Sequence, residues 1–462
     1  MKIAVIGAGY VGLTTAVCLA QQDNAVRVYD IDSSRLEKLA TGKLPIFEPG
    51  LEKATRSALM RGALKFFSSV EECVRSADIV FLAVGTPPLA DGQIDLSFIR
   101  SAARQIAVPL KPATVVVIKS TVTAGTCRRI ADLIARKRKA TDIIVASNPE
   151  FLREGSAMAD FLNPDRIVVG ADDPRTAAIL AKLYRPITSR GVRLLSTSTR
   201  NAELIKYAAN AFLALKIGFI NDVAELCEHM DGDIAEVAEG IGLDKRIGHS
   251  FLAPGPGFGG SCFPKDTRAF AMTGRQNGAP QRLIETLIAQ NDERKARLAS
   301  RILNAGSLSG GGMVAVLGLA FKANTDDVRE SPALAIIPRL QKAGVRVRAH
   351  DPKAIANARD LLSDVDWLDC PYEAARGAQA VVILTEWDDY RCLQLRRLAR
   401  LMSGRTLFDF RNLFDPAEVA EHGLRYVGIG RPAAASRRRL KSRAGGHMVA
   451  PLDKSAAAIW QS

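Results

Sequence analysis

The strongest constraint on this chain sits at its start. An apolar, β-branched run, KIAVI, leads directly into Gly7-Ala8-Gly9-Tyr10-Val11-Gly12, after which the apolar spacing becomes helical. Strand, G-x-G-x-x-G and helix in that order leave few folds open. The first glycine allows a tight turn, the second lets backbone approach a pyrophosphate, and the third lets the helix pack on the sheet. The unpaired N–H groups at the helix start then face the negative phosphates. The motif alone is weak, but here a second apolar run, AVRVY, ends at Asp30. An acid about 20 residues after the glycines can hydrogen-bond the ribose hydroxyls. Asp30 favours NAD over NADP, because a carboxylate repels a 2′-phosphate. Arg35 pulls weakly the other way.

More runs of strand length follow: DIVFLAVG, ATVVVIKS, DIIVASN and DRIVVG, with helical spacing between several of them. This predicts βαβ units around a parallel sheet buried on both faces. From Asn201 to Met230 the chain carries no proline and one glycine, and is apolar around much of its circumference. That predicts a long helix buried between domains or against a second subunit. A second α/β series opens at Met313 with MVAVLGLAF, then VRVRAHD, QAVVILTEW, RTLFDF and LRYVGIG. The predicted class is α/β: two doubly wound Rossmann-like domains joined by a long central helix. The expected boundaries are 1–200, 201–300, 301–430 and a tail at 431–462, with Gly306–Gly312 as a boundary loop.

Composition adds limits. The 462 residues are 47% hydrophobic and 24% charged, the balance of an ordinary globular protein. No apolar run reaches membrane-span length, and the glycines after the first strand argue against a signal peptide. Seven scattered cysteines with no Cys-x-x-Cys pair suit a reducing compartment, so the expected location is the cytoplasm. No ligand-spaced histidine cluster is present, and no metal is expected. The net charge of +14 admits nucleic acid, a membrane surface or anionic small molecules. Part of it belongs to the Arg-rich segment after Gly430, which reads as a flexible basic tail, solubilising or a weak polyanion or membrane contact.

Chemistry-bearing residues concentrate in a few places, each with two readings. The loops at Gly85-Thr86-Pro87 and Lys119-Ser120-Thr121 follow strand ends and either border a cofactor or are ordinary turns. Cys262, in PGFGGSCFPKD, is either a small buried hydrophobe or a nucleophile, with Lys265 and Asp266 just beyond it. Lys206 and Asn210, four apart, share one helix face that is either solvated or employed. Glu150 and Glu154, in NPEFLREG, are either surface ion pairs or functional carboxylates. A hydride acceptor, a thiol and a lysine permit oxidation of an alcohol to an aldehyde and then, through a thioester, to an acid.

Together, GxGYVG, VGTP, KST, NPEFLREG, the Lys206/Asn210 helix, PGFGGSCFPKD and GLAFKANTDDVRESPA resemble the UDP-glucose/GDP-mannose dehydrogenase family, most of all its UDP-glucose 6-dehydrogenase branch. The resemblance runs from Met1 to about Gly430. It implies NAD-dependent four-electron oxidation of UDP-glucose to UDP-glucuronate. It implies Cys262 as the nucleophile of a thiohemiacetal and thioester, and Lys206, Asn210 and Asp266 as the groups of the first oxidation. Thr121 and Glu150 would position or activate water. NAD would meet Gly7, Gly9, Tyr10, Val11, Gly12, Asp30, Arg35, Thr86, Thr121, Glu154 and Arg329. The sugar nucleotide would meet Phe151, Leu152, Arg153, Glu154, Lys206, Asn210, Phe251, Gly259, Lys322 and Arg411. Arg246 resembles an arginine supplied by a neighbouring subunit, which implies at least a dimer. The alternatives are GDP-mannose or an N-acetylated UDP-sugar as substrate and, from a different class, a nucleotide-binding sensor or nucleic-acid-associated protein without turnover. No specific nucleic acid partner is expected.

Overall fold

The computed structural model describes residues 1–139, 143–305, 308 and 311–432. The basic tail beyond residue 432 and most of the Gly306–Gly312 loop lie outside the described residues. The chain divides into two compact units, Met1–Ala209 with Arg268–Pro280, and Asn210–Thr267 with the residues from Gln281 onward.

The first unit is built on an eight-stranded sheet of order β3-β2-β1-β4-β5-β6-β7-β8. The strands are β1 (Lys2–Ile6), β2 (Ala25–Tyr29), β3 (Leu64–Phe67), β4 (Ile79–Leu82), β5 (Val115–Ile118), β6 (Ile144–Ser147), β7 (Arg166–Gly170) and β8 (Arg193–Thr197). All neighbours pair in parallel except β6 and β7, which meet antiparallel at Ser147 and Gly170. Alternation along each strand feeds two cores. Ile3, Val5, Ile79, Phe81, Val115 and Val117 enter one, while Ala4, Ile6, Val80, Leu82, Val116 and Ile118 enter the other. Each such Val, Leu, Ile or Phe side chain, when fully buried, contributes roughly 1.5–3 kcal/mol. The sequence missed β3 and β8, whose half-exposed residues give no continuous apolar run.

The second unit repeats the winding. Its strands β9 (Met313–Leu317), β10 (Arg346–His350), β11 (Val365–Trp367), β12 (Ala380–Ile383), β13 (Thr406–Asp409) and β14 (Arg425–Gly428) run in the order β11-β10-β9-β12-β13-β14, all parallel. Both units therefore carry the doubly wound order 3-2-1-4-5-6, and each has its topological switch point between its first and fourth strands. The switch lies between β1 and β4 in one and between β9 and β12 in the other.

The long helix spans Thr199–His229, two residues earlier at its start than the spacing predicts. Its 31 residues rise roughly 46 Å at 1.5 Å each. It carries the buried polar groups Glu203, Lys206, Asn210 and Asn221. On it Phe212, Phe219 and Leu226, seven residues apart, remain exposed at 63%, 55% and 57%.

Candidate active site

The glycine turn behaves as its spacing demands. Gly7 has φ +102°, and its N–H donates to Tyr29 at 2.8 Å, so the turn closes onto β2. A Cβ at Gly12 would lie 2.0 Å from the Gly7 carbonyl oxygen, which excludes any side chain there. A Cβ at Gly9 would meet nothing within 4 Å. The helix Tyr10–Gln21 has no side-chain cap and no acid in its first turn, so its leading N–H groups suit an anion. Asp30, nearly buried, accepts from Ala8 N–H at 2.6 Å and Asp32 N–H at 3.0 Å, and Arg35 reaches it at 3.4 Å. These residues fit a dinucleotide: bare backbone at the turn, open space above Gly9, and a carboxylate at the end of β2.

The second unit's equivalent turn starts alike and ends differently. Gly318 has φ +104° and donates to His350 O at 2.9 Å, as Gly7 does to Tyr29. Ala320 and Ala323, however, stand where Gly9 and Gly12 stand. Asp351, the counterpart of Asp30, accepts from Leu319, Ala320, Lys353 and Ala354 N–H and from Trp387 Nε1 at 2.7–3.1 Å. Five donors occupy that carboxylate, leaving little capacity for a ribose.

Loops at the carboxyl ends of β5 and β6 bring together a charged cluster within the first unit. Lys206 Nζ donates to Glu150 Oε1 at 3.0 Å, with both side chains at most 5% exposed. Leu152 N–H donates to Glu150 Oε2 at 2.6 Å. Burial disfavours the Glu150 carboxylate, but attraction to Lys206, the Leu152 N–H and Lys119 outweighs it and holds its pKa below the usual value. Lys119, also buried, donates to Asn148 Oδ1 at 3.0 Å, and burial followed by repulsion from Lys206 brings its pKa down to about 8, against the pull of Glu150. Asn148 also accepts from Tyr184 and donates to Val168 O. The Phe151 ring lies 4.0 Å from the Arg166 guanidinium and 5.3 Å from Lys206 Nζ. Thr86 and Thr121 sit in the loops after β4 and β5, and Arg153 is engaged by Asp160 at 2.8 Å.

In the second unit, Cys262 immediately precedes the helix Phe263–Gln276, and its carbonyl accepts Asp266 N–H at 2.8 Å. It therefore occupies the N-terminal end of that helix, where the dipole favours a thiolate. The thiol is partly accessible and lies 3.4 Å from Ser261 Oγ. Asp266 is fully buried; it accepts from Asn210 Nδ2 at 2.6 Å and pairs with Lys265. The Lys206 and Asn210 face is thus buried rather than solvated, each residue bonded to a buried carboxylate of its own unit.

Around the same loop, a Cβ at Gly259 would lie 2.5 Å from Glu330 O, and Gly260 N–H donates to Arg329 O. Phe251 holds φ +65°, strained for a bulky residue, and its ring lies 6.0 Å from Phe263. Arg411 donates to Leu384 O and Phe321 O and pairs with Glu386, while Lys322 Nζ lies 5.7 Å from the Phe321 ring. Arg329 and Arg246 are turned to their neighbours Asp327 and Asp244. Among the described residues, no group of three or more His, Cys, Asp or Glu side chains is placed to hold a metal.

Sequence reasoning missed Glu48 and Tyr184. Glu48, 5% exposed, joins Tyr10 to the backbone of Gly155 and Ala157. Neither residue lies in a recognisable motif, and partners 36 to 109 residues away leave no trace in local spacing.

Three family models match this chain in order. They are the NAD-binding domain of the UDP-glucose/GDP-mannose dehydrogenase family over residues 1–188, its central domain over 200–293, and its UDP-binding domain over 315–416. A UDP-glucose 6-dehydrogenase of Rhizobium meliloti is 48% identical across 94% of this chain and 100% of its own length. One of Pseudomonas aeruginosa is 44% identical over 94% and 98%. The solved structure of a UDP-glucose dehydrogenase from Pyrobaculum islandicum superposes with a TM-score of 0.86 at 40% identity, covering 93% of this chain and 98% of that one. A UDP-D-ManNAc dehydrogenase from Pyrococcus horikoshii reaches 0.83 at 28% identity, over 93% and 99%. With its glycine turn, its thiol loop and all three domains matched in sequence, the chain belongs to the UDP-glucose/GDP-mannose dehydrogenase family.

Proposed function

We propose that this protein oxidises UDP-glucose to UDP-glucuronate with NAD, in two successive two-electron steps. The observation that carries the reading is Cys262 at the head of a helix whose first turn also supplies the buried Asp266 bonded to Asn210. The dinucleotide is held by Gly7, Gly9, Tyr10, Val11, Gly12, Asp30, Arg35, Thr86, Thr121, Glu154 and Arg329. When bound, NAD accepts one hydride in each oxidation.

The protein's own groups manage the proton, the sulfur and the water. As C6 of the sugar loses hydride its hydroxyl loses a proton, and Lys206, Asn210 and Asp266 hold that oxygen and the water that takes the proton. The Cys262 thiolate then adds to the aldehyde carbon. This C–S bond creates a thiohemiacetal, which gives up hydride far more readily than the carbonyl does, and a thioester results. Water oriented by Glu150 and Thr121 attacks the thioester carbon; the C–S bond breaks, freeing the acid and the thiolate. A carboxylate kept ionised by Lys206, as Glu150 is, suits that role.

Phe151 to Glu154, Phe251, Gly259, Lys322 and Arg411 receive the sugar nucleotide. UDP-glucose is favoured over other nucleotide-sugars by the 40–48% identity to relatives of that name, against 28% to the UDP-D-ManNAc enzyme. The working form is a homodimer at least. Phe212, Phe219 and Leu226 repeat every seven residues and are more than half exposed, a seam suited to the same helix of a second copy, which would supply Arg246. Seven scattered cysteines suit the reducing cytoplasm, and among the described residues no helix is long and apolar enough to cross a membrane.

The test is incubation with NAD and a panel of nucleotide-sugars, with NADH and product mass as readouts. Two NADH per UDP-glucose and a uronic acid product are expected; one NADH and an aldehyde would refute the reading. Cys262→Ala should abolish acid formation while leaving NAD binding intact. Acid formation that survives this change sinks the thioester route.

A further inference from the structure

We infer that Glu48 is a positioning residue that couples occupancy of the dinucleotide turn to the loop at residues 151–157. The inference rests on the proposed function, which assigns the turn to NAD and that loop to the sugar nucleotide.

Glu48 precedes the helix Leu51–Met60 and is 5% exposed. Its Oε2 accepts both the Tyr10 hydroxyl and the Gly155 N–H, the latter at 2.7 Å. Its Oε1 accepts the Ala157 N–H at 2.8 Å. Gly155 N–H also lies 3.0 Å from the Tyr10 oxygen, so two mutually bonded groups meet around one carboxylate oxygen. Tyr10 is the first residue of the helix that follows Gly9, and Gly155 follows the sugar-facing segment 151–154. All of these residues belong to the first unit.

Two features separate a coupler from a simple anchor. First, beyond their own bonds to the sheet the two loops share one acceptor atom, so displacing Tyr10 alters the bond to Gly155, and the reverse. Second, among the described residues Glu48 has no cationic partner within ion-pair distance. Its buried charge is compensated by donors alone, which makes their geometry exacting. Burial and then the bond to Glu48 push the Tyr10 phenol well above its ordinary pKa, so it stays a donor over the working pH range. Glu154 adds to that push, which places the sugar-facing segment within electrostatic reach of Tyr10. A ligand that fixes the helix start at Tyr10 thereby selects the arrangement of residues 154–157, and linkage makes the effect reciprocal.

The test measures the Kd of UDP-glucose by calorimetry with and without saturating NADH, which permits no turnover. For the unaltered protein NADH should tighten UDP-glucose binding at least about fivefold, the lower end of ordinary allosteric coupling. Glu48→Gln replaces one acceptor oxygen by a donor and should bring that factor below about twofold, while the Kd of NADH alone changes less than the factor does. Tyr10→Phe removes one hydroxyl and should lower the factor similarly. The double variant should do no worse than either single one, the signature of residues acting through one bond. Tyr10→Phe decides the matter should Glu48→Gln fold poorly. A factor near one in the unaltered protein overturns the inference. So does a full factor in both variants, or equal weakening of both binary affinities with the factor preserved. Failure of the unaltered protein to bind UDP-glucose at all, with NADH binding intact, overturns the substrate reading and the coupling with it.

Discussion

Replacing Lys206 by Met removes one half of an ion pair whose members are 4% and 5% exposed, at a separation of 3.0 Å. Methionine keeps a linear apolar stem of similar bulk, so the change tests charge rather than volume. Glu150 is left as a buried carboxylate supported by Leu152 N–H and by the weaker attraction of Lys119. Breaking a buried pair from one side typically costs about 3–5 kcal/mol, and a chain of this size has a urea slope of about 3 kcal/mol/M, so the midpoint of urea unfolding should fall by about 1–2 M. Adding Glu150→Gln should recover at least about 2 kcal/mol of that loss, because the orphaned charge is gone. The pH dependence provides a second sign. In the unaltered protein the folded-state pKa of Glu150 is depressed. Its contribution is therefore present above the unfolded value and lost as pH falls through the folded one. In Lys206→Met, burial without the partner raises the folded pKa above the unfolded value. That variant is then penalised most at pH 7 and relieved as the carboxyl protonates, and the two stability curves should converge below about pH 4.5, near the ordinary carboxylate pKa. Urea unfolding followed by circular dichroism at pH 4 and 7 decides the point. A deficit independent of pH, or a double variant no more stable than Lys206→Met alone, would refute the argument that the pair is held by charge.

Two further outcomes follow from the geometry. Gly12→Ala and Gly9→Ala should separate: the first places a methyl 2.0 Å from Gly7 O and should lower both stability, by about 1–3 kcal/mol, and NAD affinity. The second meets no protein atom and should lower NAD affinity alone, as read by thermal melts with and without NAD. Phe219→Ser, on the exposed seven-residue repeat, should shift the protein from dimer toward monomer in sedimentation experiments while leaving the helix content unchanged; a species of unaltered mass at low protein concentration would remove the case for that seam.

Much of this protein was legible in one dimension because its signals are local. Burial on both faces forces continuous apolar strands, so the central strands β1, β4, β5, β9, β12 and β13 announce themselves. The glycine turn is equally local, because the Gly12 and Gly7 contact spans five residues and no other side chain fits. The pairing of Lys206 with Asn210 follows from helical periodicity alone. What spacing could not supply is which acid each of them meets. Glu150 lies 56 residues before Lys206, and Asp266 lies 56 residues after Asn210. Only the winding of the first sheet and the placement of the thiol loop decide those partners. The same holds for Asp351, whose position mimics Asp30 in sequence while five donors from three loops consume its oxygens. Chain chemistry thus determined the elements, the turn and the candidate thiol, because those depend on neighbours a few residues away. Tertiary structure decided how each charge is balanced, because the energy of a buried ion depends on groups that the fold, and not the spacing, brings within about 3 Å.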